Sequence, residues 1–220
     1  MKTDLEIKND VLEELEWQPI LKDAQLGVDV VNGITTLTGT VNNLAEKVAT
    51  ENAVKGVKGV KAIVEKLKVK NDKNVTDKDV AKRIIDDLEW NASVEQEDIN
   101  VKVEDGYVFL SGKVKWAYQK NEAEQSLEYI EGIKSITNDI RVTEKTISNN
   151  VAHQINKAFK RSASIDAHNV SVTVEGNTAT LQGTVNSIKE KDDALRAAYL
   201  ADGITDVKNE LKVEYDAIYM

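Results

Sequence analysis

The feature that most restricts the fold of this chain is that it repeats. The segment Leu26–Val41 (LGVDVVNGITTLTGTV) returns as Ile99–Val114 (INVKVEDGYVFLSGKV) and again as Val170–Val185 (VSVTVEGNTATLQGTV), at offsets of 73 and then 71 residues. The likeness extends outward on both sides. Upstream, LEELEW ending at Trp17 returns as IDDLEW ending at Trp90; downstream, GVKAIVEKLKV, GIKSITNDIRV and GITDVKNELKV begin at Gly59, Gly132 and Gly203. Self-similarity of this kind means one supersecondary unit written three times. The expected domains are 1–71, 76–144 and 146–220, with breaks near DKNV (72–75) and TEKT (143–146). Linkers this short imply that neighbouring units touch.

Each unit has the same internal order. Apolar residues spaced by four predict a first amphipathic helix: Ile7, Val11 and Leu15, then Val80, Ile84 and Leu88, then Val151, Ile155 and Phe159. Thr3 and Glu6 form a capping-box pattern at the first of these. Strict alternation follows in Leu26/Val28/Val30, Ile99/Val101/Val103 and Val170/Val172/Val174, each run ending in Asn32-Gly33, Asp105-Gly106 or Gly176-Asn177. Those dipeptides suit two-residue hairpin turns. On the returning strand Gly39, Gly112 and Gly183 share parity with Leu37, Leu110 and Leu181, so these glycines are expected to let a helix approach the sheet closely. A second helix is expected to stop at Gly59, Gly132 or Gly203, and a last strand closes the unit. The predicted fold is α/β of the α+β type: three tandem α-β-β-α-β domains, each a three-stranded mixed sheet with two helices on one face. The crossover into the last strand should be right-handed. The other sheet face is open or covered by a neighbour.

Composition excludes several chemistries. With no cysteine, disulfides, thiolate nucleophiles and zinc-finger or iron–sulfur sites are ruled out. The net charge of −9 disfavours binding to a phosphate backbone. No apolar run is long enough to span a bilayer. Read with Met1 as the start, the chain is expected in the cytoplasm; a signal peptide removed beforehand would instead place it in the periplasm.

The V-x-V-x-x-G-x-x-x-L-x-G-x-V hairpin core, with a helix ending in Gly-Val or Gly-Ile before a last strand, resembles the BON domain, named for bacterial osmotically inducible and nodulation proteins. The likeness covers about 4–71, 76–144 and 146–215; LEW before the hairpin and VKWAYQK at Val114–Lys120 resemble a subgroup with three such domains. The resemblance implies a non-catalytic binding or scaffold protein of osmotic or envelope stress, engaging phospholipid, an envelope component or a protein partner, with no cofactor. An alternative it implies is a cytoplasmic, ion-responsive interaction protein of the potassium-binding type. Self-association is a further option. The motif consists of turn and core residues, so it identifies a fold better than a chemistry.

Candidate sites are few. His153 and His168 have Lys82 and Glu97 as counterparts in the second repeat, so no repeated metal site is expected and none is assigned. The acidic runs Asp86-Asp87-Glu89, Glu95-Glu97-Asp98 and Asp192-Asp193 read as solvated faces. No nucleophile elbow or phosphate loop is present, so no catalytic residue is assigned. Trp17 and Trp90 close equivalent helices and are expected in the core or at a domain seam. Trp116 differs: the other repeats have Asn43 and Ser187 there. With Tyr118, Lys113, Lys115 and Lys120 it forms the main candidate binding surface, suited to a membrane interface or a neighbouring domain. Tyr107 and Phe109, on the open-face parity with Lys102, Lys113 and Arg141, are a secondary candidate. Aromatics among basic groups on a sheet suit single-stranded nucleic acid. However, residues 76–144 hold 16 acidic against 9 basic side chains, so burial of these aromatics between domains is the preferred expectation.

Overall fold

A computed structural model describes residues 2–70, 75–90, 99–143 and 150–214; the expected breaks near 72–75 and 143–146 fall almost wholly outside them. The first unit runs α1 (Asp4–Trp17), β1 (Gln25–Val31), β2 (Ile34–Val41), α2 (Leu44–Gly56), β3 (Ala62–Val69). The second runs α3 (Asp77–Trp90), β4 (Ile99–Glu104), β5 (Tyr107–Val114), α4 (Ala117–Gln125), β6 (Ser135–Val142). The third runs α5 (Val151–Arg161), β7 (Val170–Glu175), β8 (Thr178–Val185), α6 (Ile188–Tyr199), β9 (Asp206–Val213). In each sheet the hairpin's second strand lies in the middle, antiparallel to the first and parallel to the last. The register repeats too, pairing Val28 with Leu37, Val101 with Leu110 and Val172 with Leu181.

The predicted helix stripes are buried in all three units, and they meet Leu37, Leu110 and Leu181, which are shut off from solvent. The first two hairpins turn with positive φ at both central residues, 55° and 77° at Asn32-Gly33 and 52° and 78° at Asp105-Gly106. In the third only Gly176 has positive φ. A carboxylate at the start of the first helix clasps the turn. Asp4 accepts from the Asn32 and Gly33 amides at 2.8 and 2.9 Å, and Asp77 does the same for Asp105 and Gly106.

The glycines do not fill the roles expected of them. Gly39 and Gly183 have φ of 132° and 125°, and a Cβ on either would collide with a backbone carbonyl at the start of the hairpin's first strand, that of Gln25 in β1 or of Asn169 just before β7, rather than with a helix. Close helix approach occurs instead at Gly59 and Gly132. A Cβ at Gly59 would lie 2.8 Å from Ile7 on α1, and one at Gly132 would lie 2.9 Å from Val80 on α3. Nor does the second helix run to these glycines: α2 already ends at Gly56.

The units pack through their second helices. Leu44 and Val48 of α2 join the core of the second unit, while Ile188 at the start of α6 packs on the core of the first. Lys55 Nζ sits 3.0 Å from Glu51 and 2.9 Å from Asp192 of α6. Units one and three therefore touch although they are not neighbours in sequence.

Candidate binding surface

The open face of the second sheet carries the most distinctive surface chemistry. Strand parity turns Tyr107, Phe109 and Lys113 away from the helices, and the pairing sets Lys102 beside Phe109 and Arg141 beside Lys113. Tyr107 is 50% exposed and Phe109 37%, which overturns the expectation that another domain buries them. Lys102 Nζ stands 5.4 Å from the centre of the Phe109 ring, and Lys134 Nζ 5.7 Å from that of Tyr107, both within cation–π reach. The equivalent positions in the first unit are Ile34 and Thr36 and in the third Thr178 and Thr180, so this pairing of ring and ammonium is particular to the second repeat.

Trp116 lies just past that sheet's central strand, at the N-cap of α4. It is half-buried, Tyr118 and Lys115 are exposed, and Lys120 is half-buried. Lys113 belongs with the sheet face and the other four with the helix start. In the first and third units the corresponding residues cap the helix: Asn43 Oδ1 accepts from the Glu46 amide at 2.8 Å, and Ser187 Oγ from the Glu190 amide at 3.0 Å. An indole has no acceptor for that bond. What remains at Trp116 is the reverse half of the arrangement, in which Gln119 Oε1 accepts from the Lys115 and Trp116 amides at 3.0 Å each.

Trp17 and Trp90 are not core residues. They are 81% and 88% exposed. The helix pitch carries the signal that reveals this: two residues past Leu15 or Leu88 is a rotation of about 200°, onto the far side of the helix. His153 and His168 are exposed, the latter with Nδ1 3.3 Å from Asp166. Among the described residues no group of three histidine or carboxylate side chains is placed to hold a metal ion, and no helix is long and apolar enough to cross a membrane.

The shared register and the Gly-punctuated central strand recur three times, the clasped hairpin twice, and the BON domain profile matches residues 3–71, 76–144 and 148–215. The chain belongs to the BON domain family. Among curated relatives, this BON protein is 32% identical over 127 residues to osmotically-inducible protein Y of Escherichia coli strain K12, covering 55% of this chain and 63% of that one. It thus spans less than two thirds of that relative's length. Among solved structures it is similar to CdsD, a structural protein of the type III secretion system of Chlamydia trachomatis (19% identical, 95% of this chain and 92% of that one, TM-score 0.29). It is also similar to the C-terminal domain of CdsD (22% identical, 97% and 98%, TM-score 0.26). At those scores neither structure bears on how the three BON units are arranged.

Proposed function

We propose that this chain is a non-catalytic binding protein of osmotic or envelope stress, and that the second BON unit meets anionic phospholipid. The observation that carries the reading is the open sheet face, where Tyr107 and Phe109 are exposed under lysine ammonium groups. Aromatic rings at the headgroup level with cations beside them are the chemistry of interfacial binding. Lys113 and Arg141 add a second pair of cations to this face, where Lys102 also pairs with Glu104 at 2.7 Å, and Trp116, Tyr118, Lys115 and Lys120 at the start of α4 are counted with the contact surface. The relative named for osmotic induction supports the physiological setting. An overall charge of −9 means that the patch must act locally, within about one Debye length.

The experiment is flotation of the full chain with vesicles of phosphatidylcholine alone or with added phosphatidylglycerol. Binding is expected only to the anionic vesicles and is expected to be lost in a Tyr107→Ala/Phe109→Ala variant. In a chain with Trp17 and Trp90 replaced by Phe, Trp116 emission should shift to the blue on binding. Absence of flotation at low salt would reject lipid as the ligand. A melting temperature raised by potassium but not sodium, without vesicle binding, would move the assignment to an ion-responsive interaction protein.

A further inference from the structure

The last turns of the three first helices carry opposite charges. Around Trp17 the helix holds Glu13, Glu14 and Glu16, and around Trp90 it holds Asp86, Asp87 and Glu89; the third repeat has Lys157, Ala158 and Lys160 at the acidic places and Arg161 at that of the tryptophan. The macrodipole makes acids unfavourable and bases favourable at a helix C-terminus. Neither α1 nor α3 has any basic residue in its last turn, whereas α5 has two. Local helix stability therefore accounts for the third repeat and runs against the arrangement in the first two.

Both acidic ends line a surface cleft, and the two clefts are equivalent residue by residue. The first, of about 480 Å³, is bounded by Glu13, Glu14, Trp17 and Val57. The second, of about 560 Å³, is bounded by Asp86, Asp87, Trp90 and Ile130. Lys2, Asp10 and Lys58 also line the first; Lys2 pairs with Asp10, and Lys58 offsets part of the charge of Glu13 and Glu14. In the second, Arg83 is turned to Glu131 at 3.5 Å, which leaves Asp86 and Asp87 to set the charge. Asp87 Oδ2 is buried and accepts no hydrogen bond. Tyr129, also well exposed, adds a second ring beside Trp90. Two rings and two carboxylates are the surroundings a guanidinium seeks, since it can stack and pair at once.

The same chain carries a matching group. Lys157, Lys160 and Arg161 are exposed and make no ion pair among the described residues, and α5 packs on the third sheet while α3 packs on the second. We propose that this BON protein self-associates head to tail, with the basic last turn of α5 in one copy seated in the Trp90 cleft of the next. Arg161 lies on Trp90 and Tyr129, and the carboxylates of Asp86 and Asp87 receive the cations. The contact joins two different surfaces, so it propagates or closes into a ring rather than ending at a symmetric dimer. It does not involve the Tyr107 and Phe109 face, so it stands or falls apart from lipid binding.

Sedimentation of the full chain over a wide concentration range tests the proposal. The mass is expected to rise with concentration, and the rise to weaken steeply with added salt. Asp86→Lys/Asp87→Lys and Lys157→Glu/Arg161→Glu should each weaken self-association by about tenfold or more. Mixed in equal amounts, these two variants should form a capped heterodimer that grows no further, because one keeps an intact donor turn and the other an intact cleft. That recovery also excludes misfolding as the cause of the loss. A chain that stays monomeric, or whose association ignores both charge reversals, overturns the proposal. So does a monomeric chain whose Trp90 emission responds to an oligo-arginine peptide, which would assign the cleft to a different, basic protein.

Discussion

Glu65 shows how one residue departs from a shared solution. The last strand of each unit places a polar side chain opposite the core leucine, where it faces the second helix: Glu65, Asn138 and Asn209 pair with Leu37, Leu110 and Leu181. The asparagines donate to helix carbonyls, Asn138 to Lys120 at 2.7 Å and Asn209 to Lys191 at 3.3 Å. Glu65 cannot donate when ionised, and it instead lies 3.7 Å from Lys47. Partial burial raises its pKa, Lys47 opposes the rise and Glu51 adds to it. A carboxyl whose folded pKa lies above its unfolded one holds its proton more tightly in the folded state. Its ionisation therefore costs stability as pH climbs from the ordinary carboxylate range through the raised value. Glu65→Asn is expected to raise the melting temperature at pH 7, and the gain should fade as the pH drops below the ordinary carboxylate range. A gain equal at pH 3 and pH 7 would show that the charge is not the cause.

At the scale of elements, α4 is the weak member of its set. It has 9 residues before giving way to a 3-10 turn at Ser126–Tyr129, against 13 in α2 and 12 in α6. The N-cap is the local difference, because Trp116 stands where Asn43 and Ser187 close the other two helices. A missing cap costs about 1 kcal/mol. Trp116→Asn should return that bond and leave the protein as stable or more so in urea titration, while vesicle binding falls. A loss near 3 kcal/mol, the range for a large buried side chain, would instead make Trp116 a structural residue. The hairpins and the buried stripes of the first helices needed no such correction. Their periods of two and of three to four residues were legible because each element buries one face within its own unit.

At the scale of the whole molecule, the chain is not three beads on a string. α2 supplies Leu44 and Val48 to the core of the second unit and receives Ile188 from the third, and Lys55 bridges to Asp192. Leu44→Glu puts a charge into the second unit's core cluster without touching its sheet. It is expected to raise the radius of gyration measured by X-ray scattering, while circular dichroism keeps the strand and helix signals. Unchanged scattering would mean that other contacts hold the units together.

The repeat, the order of elements, the turn positions and the core stripes could all be read from the sequence, because each is set by neighbours within a few residues or by parity along one element. Three things could not. The helix pitch turns Trp17 and Trp90 off the buried stripe, but that no other unit covers them depends on how the units pack. That Gly59 and Gly132 accommodate a helix while Gly39 and Gly183 avoid a backbone carbonyl depends on which distant segment each one meets. That α2 is the hub of three units depends on surfaces from different repeats coming together. Those relations join residues far apart in the chain and leave no local period, so only the tertiary structure decided them.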